Sequence, residues 1–267
     1  MFLRKLFNSN NKFTWVLIDL LIVIIGVYCA FLIQSYAEQD KTNKEKDKIY
    51  TALKYELESF RFLASEIALG ISGTVKEWED KISNDTYHDF SGGRFIAPQF
   101  DYQIVEHAIN TNDSDIIDFE LYDVLQQLHV GIKKAEHTER LLTEIALRYR
   151  LIPPTLDSNS KEVKLMSYEN FNNFRRYVMF TKDRGSIMQR IIVRSQNALA
   201  ILNDRIDPAK RKEIERNLMK QKMPEFPVKE VAVGVGKKYF PNWSEEEILE
   251  IYDEVHGVKE NKADSPQ

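Results

Sequence analysis

An all-α protein, with one N-terminal transmembrane helix followed by a mostly helical soluble bundle, is what this sequence predicts, on three observations. An uninterrupted apolar run occupies residues 13–33. Beyond residue 41 the apolar positions recur at steps of three or four over three long stretches, as on one face of a helix. Stretches of alternating apolar and polar residues are too short and too few to build a sheet.

The run FTWVLIDLLIVIIGVYCAFLI is long enough to cross a bilayer. Its ~21 residues, at ~1.5 Å each, span ~30 Å, the thickness of the hydrocarbon core. A cleaved signal peptide is disfavoured, because its apolar core is about 7 to 15 residues and ends in small residues, whereas Phe31, Leu32 and Ile33 continue past Ala30. Bulky Tyr28 before Cys29 argues against a lipoprotein site. An uncleaved signal anchor follows, preceded by a short basic tail, residues 1–12. The flanking charges nearly balance, with Arg4, Lys5 and Lys12 before the run and Lys41, Lys44, Lys46 and Lys48 after it. The tail carries no acid, and a large C-terminal domain is exported largely regardless of its own charges. The expected topology is an N-terminus in the cytoplasm and the C-terminal domain outside it, in a bacterial inner membrane. Trp15 at one end and Gln34 with Tyr36 at the other mark the interfaces.

Asp19 is the exception within the span; an acid there costs ~2.5 to 3.5 kcal/mol at the centre. It lies off centre, roughly 9 Å from the Phe13 end, and either reaches the headgroup region or carries a proton. In the alternative reading Asp19, Val23, Gly26, Ala30 and Gln34 share one helix face, and Gly26 with Ala30 form a small-xxx-small pair. Asp19, Gly26, Ala30 and Gln34 would then be a helix-helix contact of a homodimer. The span with Asp19, the aliphatic run 20–25, Gly26, Ala30 and Gln34, leading into a charged helix through Leu53 and Glu56-Leu57-Glu58, resembles an uncharacterised family of bacterial single-pass membrane proteins, frequent in Bacteroidota. The resemblance reaches no further than about Phe60 and implies no catalytic residue.

After the span, residues 41–223 read as the bundle. Leu53, Leu57, Phe60, Ala64, Ile67, Ile71, Val75, Trp78 and Ile82 predict a helix over 44–82, with Gly70 and Gly73 as the place for a kink. Residues 83–100 collect Asn, Asp, Ser, Gly and Pro and read as a loop. A short helix over 101–109 precedes a long one over 116–150, stopped by Pro153 and Pro154. A third long helix covers 167–206, ended before Pro208. In residues 224–258, a loop and short helix, Ser244 and Glu247 fit a capping box with Trp243 stapled to Ile248. Residues 259–267 are polar and predicted disordered.

Of 267 residues, 43% are hydrophobic and 29% charged, which suits a solvated globular domain. Arg4, Lys5 and Lys12 against Asp19 leave residues 1–35 at +2, so the rest of a chain of net charge -4 carries -6. That acidic balance argues against nucleic acid as a partner. The single cysteine, Cys29, lies in the apolar run, so residues 41–267 hold no thiol. None of His88, His107, His129, His137 and His256 has Glu-x-x-His spacing, so no metal or other cofactor is expected. The glycines of Gly234-Val235-Gly236-Lys237-Lys238 echo a phosphate loop without its spacing or its Ser/Thr, and predict a flexible loop. Lys210, Arg211, Lys212, Arg216, Lys220 and Lys222 predict a solvated basic face, or a contact for anionic headgroups or an acidic partner. The function expected is a membrane-anchored, non-enzymatic interaction or sensor-like module; the alternative is a structural subunit of a larger cell-envelope complex.

Overall fold

The computed structural model describes residues 12–90, 99–110 and 116–257, without the side chains of 12–19. The tails at both ends and the side chain of Asp19 lie outside the described residues. Seven α-helices and one 3-10 turn make up the described chain, with no strand among the described residues. They are α1 (Lys12–Ser83), α2 (Gln103–Asn110), α3 (Phe119–Ala146), α4 (Lys161–Asn203), α5 (Pro208–Lys222), the 3-10 turn Met223–Glu225, α6 (Lys229–Tyr239) and α7 (Glu245–His256). α1 is unbroken through Gly70 and Gly73, where a kink is predicted from sequence. Just past its end Asp85 takes a left-handed conformation, with a positive φ, which acidic and amide side chains tolerate better than most.

The chain divides into two compact units, Met1–Lys48 and Ile49–Gln267. In the first, α1 contains the one stretch among the described residues long and apolar enough to cross a membrane, of mean hydropathy 2.2 and with none of it buried.

In the second unit the helices pair in a fixed order. Arg205 meets Asp118 at 2.5 Å, Arg194 donates to the carbonyl of Gln127, and Arg184 pairs with Glu139, so α3 and α4 run antiparallel. Lys54 donates to Asn203 and Lys182 to Glu79, which sets α1 antiparallel to α4 as well. The result is an up-up-down arrangement in which α1 and α3 run parallel and α4 runs against both. Their stripes fuse into a main core around Leu53, Leu57, Phe60, Leu121, Leu125, Leu128, Met188 and Ile191. Toward the Ser83 end of α1 the core turns aromatic, with Trp78 5.9 Å from Phe174 and Phe90 5.3 Å from Tyr149.

Side-chain caps fix the starts of α3, α4 and α5: Asp118 accepts from Leu121 N, Ser160 from Val163 N, and Asp207 from Ala209 N and Lys210 N. The Ser160 cap explains why α4 begins at Lys161 and not at the predicted Ser167. α3 is shorter than the predicted 116–150 at both ends, because Asp118 caps it and the chain leaves the helix after Ala146.

The C-terminal helices form a third core of Met219, Met223, Ala232, Trp243, Ile248, Ile251 and Tyr252. The capping box is present at α7: Ser244 accepts from Glu247 N and the Glu247 carboxylate accepts from Ser244 N. Here one sequence expectation is corrected. Residues Gly234, Val235 and Gly236 are not a flexible loop but the middle of α6. Gly236 is where α6 presses on α7, since a Cβ there would lie 2.9 Å from Ile248 Cδ1. Close packing outweighs the helix-breaking tendency of glycine, ~1 kcal/mol.

Candidate functional site

Two places in the molecule carry chemistry that the cores do not consume. The first is the apolar segment of α1. Leu20 is 58%, Ile33 71% and Tyr36 76% exposed. An aliphatic run facing outward on all sides of a helix is in its proper solvent only in hydrocarbon. Of the predicted contact residues, Gly26, Ala30 and Gln34 are exposed and follow one another at four-residue steps, hence on one face. Space around Gly26 is open for a Cβ within 4 Å. Gln34 donates to Glu38 one turn on, at 2.9 Å. The side chain of Asp19, the fourth predicted member, lies outside the described residues.

The second place is a cleft in Ile49–Gln267, between α1, α5 and α6. Its walls are largely apolar: Phe62 from α1, Met219 from α5, Met223 and Phe226 from the turn after it, Tyr239 and Phe240 from the end of α6. The empty volume is about 470 Å³, part of it open to solvent. The room it offers is only about 30 Å³, enough for a water or two. Arg61, Lys222 and Glu58 also line it. Arg61 donates to the carbonyl of Tyr239 at 2.6 Å, pairs with Glu58 at 2.5 Å, and lies 5.5 Å from the centre of the Tyr239 ring. The ammonium of Lys222 lies 5.0 Å over the Phe62 ring and 3.1 Å from Glu225.

Behind the cleft is a buried polar network that periodicity does not reveal. Lys54 is fully buried, and its ammonium lies 3.0 Å from Asn203 Oδ1, 3.0 Å from Glu215 Oε1 and 3.5 Å from Glu58 Oε1. Trp243 donates its indole N–H to the other oxygen of Glu215 at 2.9 Å. Burial pushes the Glu58 carboxyl above its ordinary value, against the opposing pull of Arg61 and Lys54. The sequence signal available was Lys54 next to Leu53 in the apolar stripe, a position that solvation alone does not suit. A second buried pair, Arg184 with Glu139, joins α4 to α3; burial raises the carboxyl and lowers the guanidinium.

Three cations of the basic cluster of α5 pair across to α7. Lys212 pairs with Glu247, Arg216 with Glu250 at 3.3 Å and Glu254 at 3.0 Å, and Lys220 with Glu254 at 2.5 Å. These cations face α7, whose acids recur at helical spacing, and so form a seam between two helices of the same chain. They keep one side in solvent, Lys212 being 57% exposed.

Among the described residues no group of three or more His, Cys, Asp or Glu side chains is gathered as a metal site would need. The fold and these two places define a class, an all-α protein with one candidate membrane span and a helical bundle. No family model matches the chain, and no curated protein and no solved structure matches it.

Proposed function

We propose that the protein is a single-pass, membrane-anchored interaction or sensor-like module without enzymatic activity. In this reading the N-terminus lies in the cytoplasm of a bacterial cell, and the bundle outside it binds a protein partner or small ligand. The observation that carries it is the apolar, outward-facing run at residues 20–36 in the same chain as a bundle whose cores are filled by its own side chains.

The full chain should resist alkaline extraction from membranes. A reporter active only after export, fused after Gln267, should be active, and a cytoplasm-only reporter there should stay dark; the reverse pattern overturns the orientation. For the role, photo-crosslinkers on the bundle surface should capture the same partner in the full chain and in a fragment beginning at residue 41. Loss of capture on removing the anchor would favour the alternative, a structural subunit held in a cell-envelope complex through the membrane helix.

A further inference from the structure

At the end of the bundle farthest from Ile49, α4 projects past its neighbours and exposes an amphiphilic face. Lys182 of α4 meets Glu79 of α1. From Lys182 back to Lys161 α4 runs ~32 Å, whereas α1 continues only ~6 Å past Glu79 to Ser83, so the first turns of α4 extend beyond α1. The segment after α3 holds this projection in place. Arg150 N donates to Asn170 Oδ1 at 2.9 Å, Asn170 Nδ2 donates back to the Arg150 carbonyl at 2.8 Å, and Asn170 is fully buried.

Val163 and Asn170 form the buried side of these turns. The opposite side carries Lys161, Lys164, Leu165 and Tyr168 at i, i+3, i+4 and i+7, all exposed, Leu165 at 54% and Tyr168 at 66%. Leu147, Leu151 and Leu156, in the segment leading into α4, are exposed as well. Neither Lys161, Lys164 nor Arg148 has an ion pair among the described residues. Of the acids nearby, Glu169 pairs with Arg150 at 3.2 Å, Asp157 accepts from Asn159 N, and Glu162 flanks the face without lying on it. Lysines interleaved with leucine and tyrosine at helical spacing suit a bilayer surface. The cations meet anionic headgroups, the tyrosine sits at their level, and the aliphatic side chains enter the acyl boundary. The chain as a whole has a net charge of -4, so overall charge does not draw it to an anionic surface.

We propose that this tip docks on an anionic bilayer surface belonging to a bilayer other than the anchor's. The bundle receives the chain from the span at Ile49, and the tip is its other end. The inference rests on the anchored reading above for the second bilayer, and the protein then joins two membranes.

The test uses the full chain in neutral phosphatidylcholine nanodiscs, added to dense vesicles of phosphatidylcholine and phosphatidylglycerol in equal parts. The nanodiscs should sediment with these vesicles and stay in solution with vesicles of phosphatidylcholine alone. Lys161→Gln with Lys164→Gln should weaken the association about thirtyfold, ~1 kcal/mol for each cation. Leu151→Ser with Leu165→Ser should weaken it at constant charge, while Val193→Ser, an exposed apolar side chain farther along α4, should not. All five side chains are exposed, so melting should not move. A photo-crosslinking phosphatidylglycerol placed in the vesicles should label residues 147–168.

Equal sedimentation with neutral and anionic vesicles, or none with either, overturns the proposal. Dependence on the lysines without dependence on the leucines points to an acidic protein as the partner and overturns it too. So does label on 147–168 that arises only when the crosslinking lipid is in the nanodisc, which puts the tip on the anchor's own bilayer. Failure of the chain to enter nanodiscs would remove the anchored reading and this inference with it; entry without vesicle binding removes this inference alone.

Discussion

The backbone amide of Val105 donates to Glu56 Oε2 at 3.0 Å inside the core, so a carboxylate on α1 caps the first turn of α2. Burial pushes that carboxyl up from 4.5 to about 7, against the lowering effect of the Val105 and Ile104 amides. The folded state therefore holds this proton more tightly than the unfolded chain does. Stability from this group is fully present below pH 4.5 and is lost as pH rises toward 7. At ~1.4 kcal/mol per unit, with allowance for water near the site, the loss is about 2 kcal/mol. Glu56→Gln keeps a carbonyl acceptor for the amide and removes the titration. Denaturant midpoints of the wild type should fall between pH 5 and 7.5, and the variant should show a flatter profile; parallel profiles would contradict the assignment.

Lys54→Met should cost about 3 to 5 kcal/mol, because Glu58 and Glu215 then remain in the interior with one cation fewer. Adding Glu215→Gln to Lys54→Met should recover part of the loss, since the amide still accepts from Trp243. A double-mutant cycle on unfolding midpoints reads the coupling, and strict additivity would mean that the two side chains do not share a network.

Glycines two residues apart in α6 should respond with opposite signs. At Gly234 an added Cβ meets nothing within 4 Å, so Gly234→Ala gains up to ~1 kcal/mol of helix propensity. Gly236→Ala brings a methyl to 2.9 Å from Ile248 Cδ1 and 3.0 Å from its Cγ2. That overpacking costs ~1 to 3 kcal/mol and outweighs the same gain. Thermal melting of both variants decides it; two stabilised proteins would show that α6 and α7 separate easily.

If Asp19, Gly26, Ala30 and Gln34 face a second copy of the helix, Gly26→Ile should hold the two backbones apart and weaken self-association, while Ile25→Leu changes little. Asp19→Asn should matter less than the glycine change, interhelical hydrogen bonds in membranes averaging ~0.6 kcal/mol. A membrane self-association assay on residues 1–41 gives the comparison. Equal signals from wild type and Gly26→Ile would leave a monomeric anchor.

What was legible in the sequence was whatever local periodicity encodes. Leu53, Leu57, Phe60, Ala64, Ile71, Val75 and Trp78 step along one face, and all are buried. The same holds for Leu121, Leu125, Leu128, Ile132 and Ala135. The α7 capping box was legible because its partners lie three residues apart. The α5 cations were not, since Arg216 finds its acids 34 and 38 residues on. Nor was α6, where Gly236 is explained only by Ile248 of another helix. The cleft escaped for the same reason: its walls come from three helices distant in sequence, and no single stretch carries its pattern.

Lys54 and Glu215 are 161 residues apart, so biosynthesis separates them in time. At roughly 5 to 20 residues per second, Lys54 waits about 10 to 30 s after translation before its acceptor exists. Throughout that interval α1 presents a cation where the finished protein has only interior. A nascent chain stopped before residue 215 therefore cannot close this site.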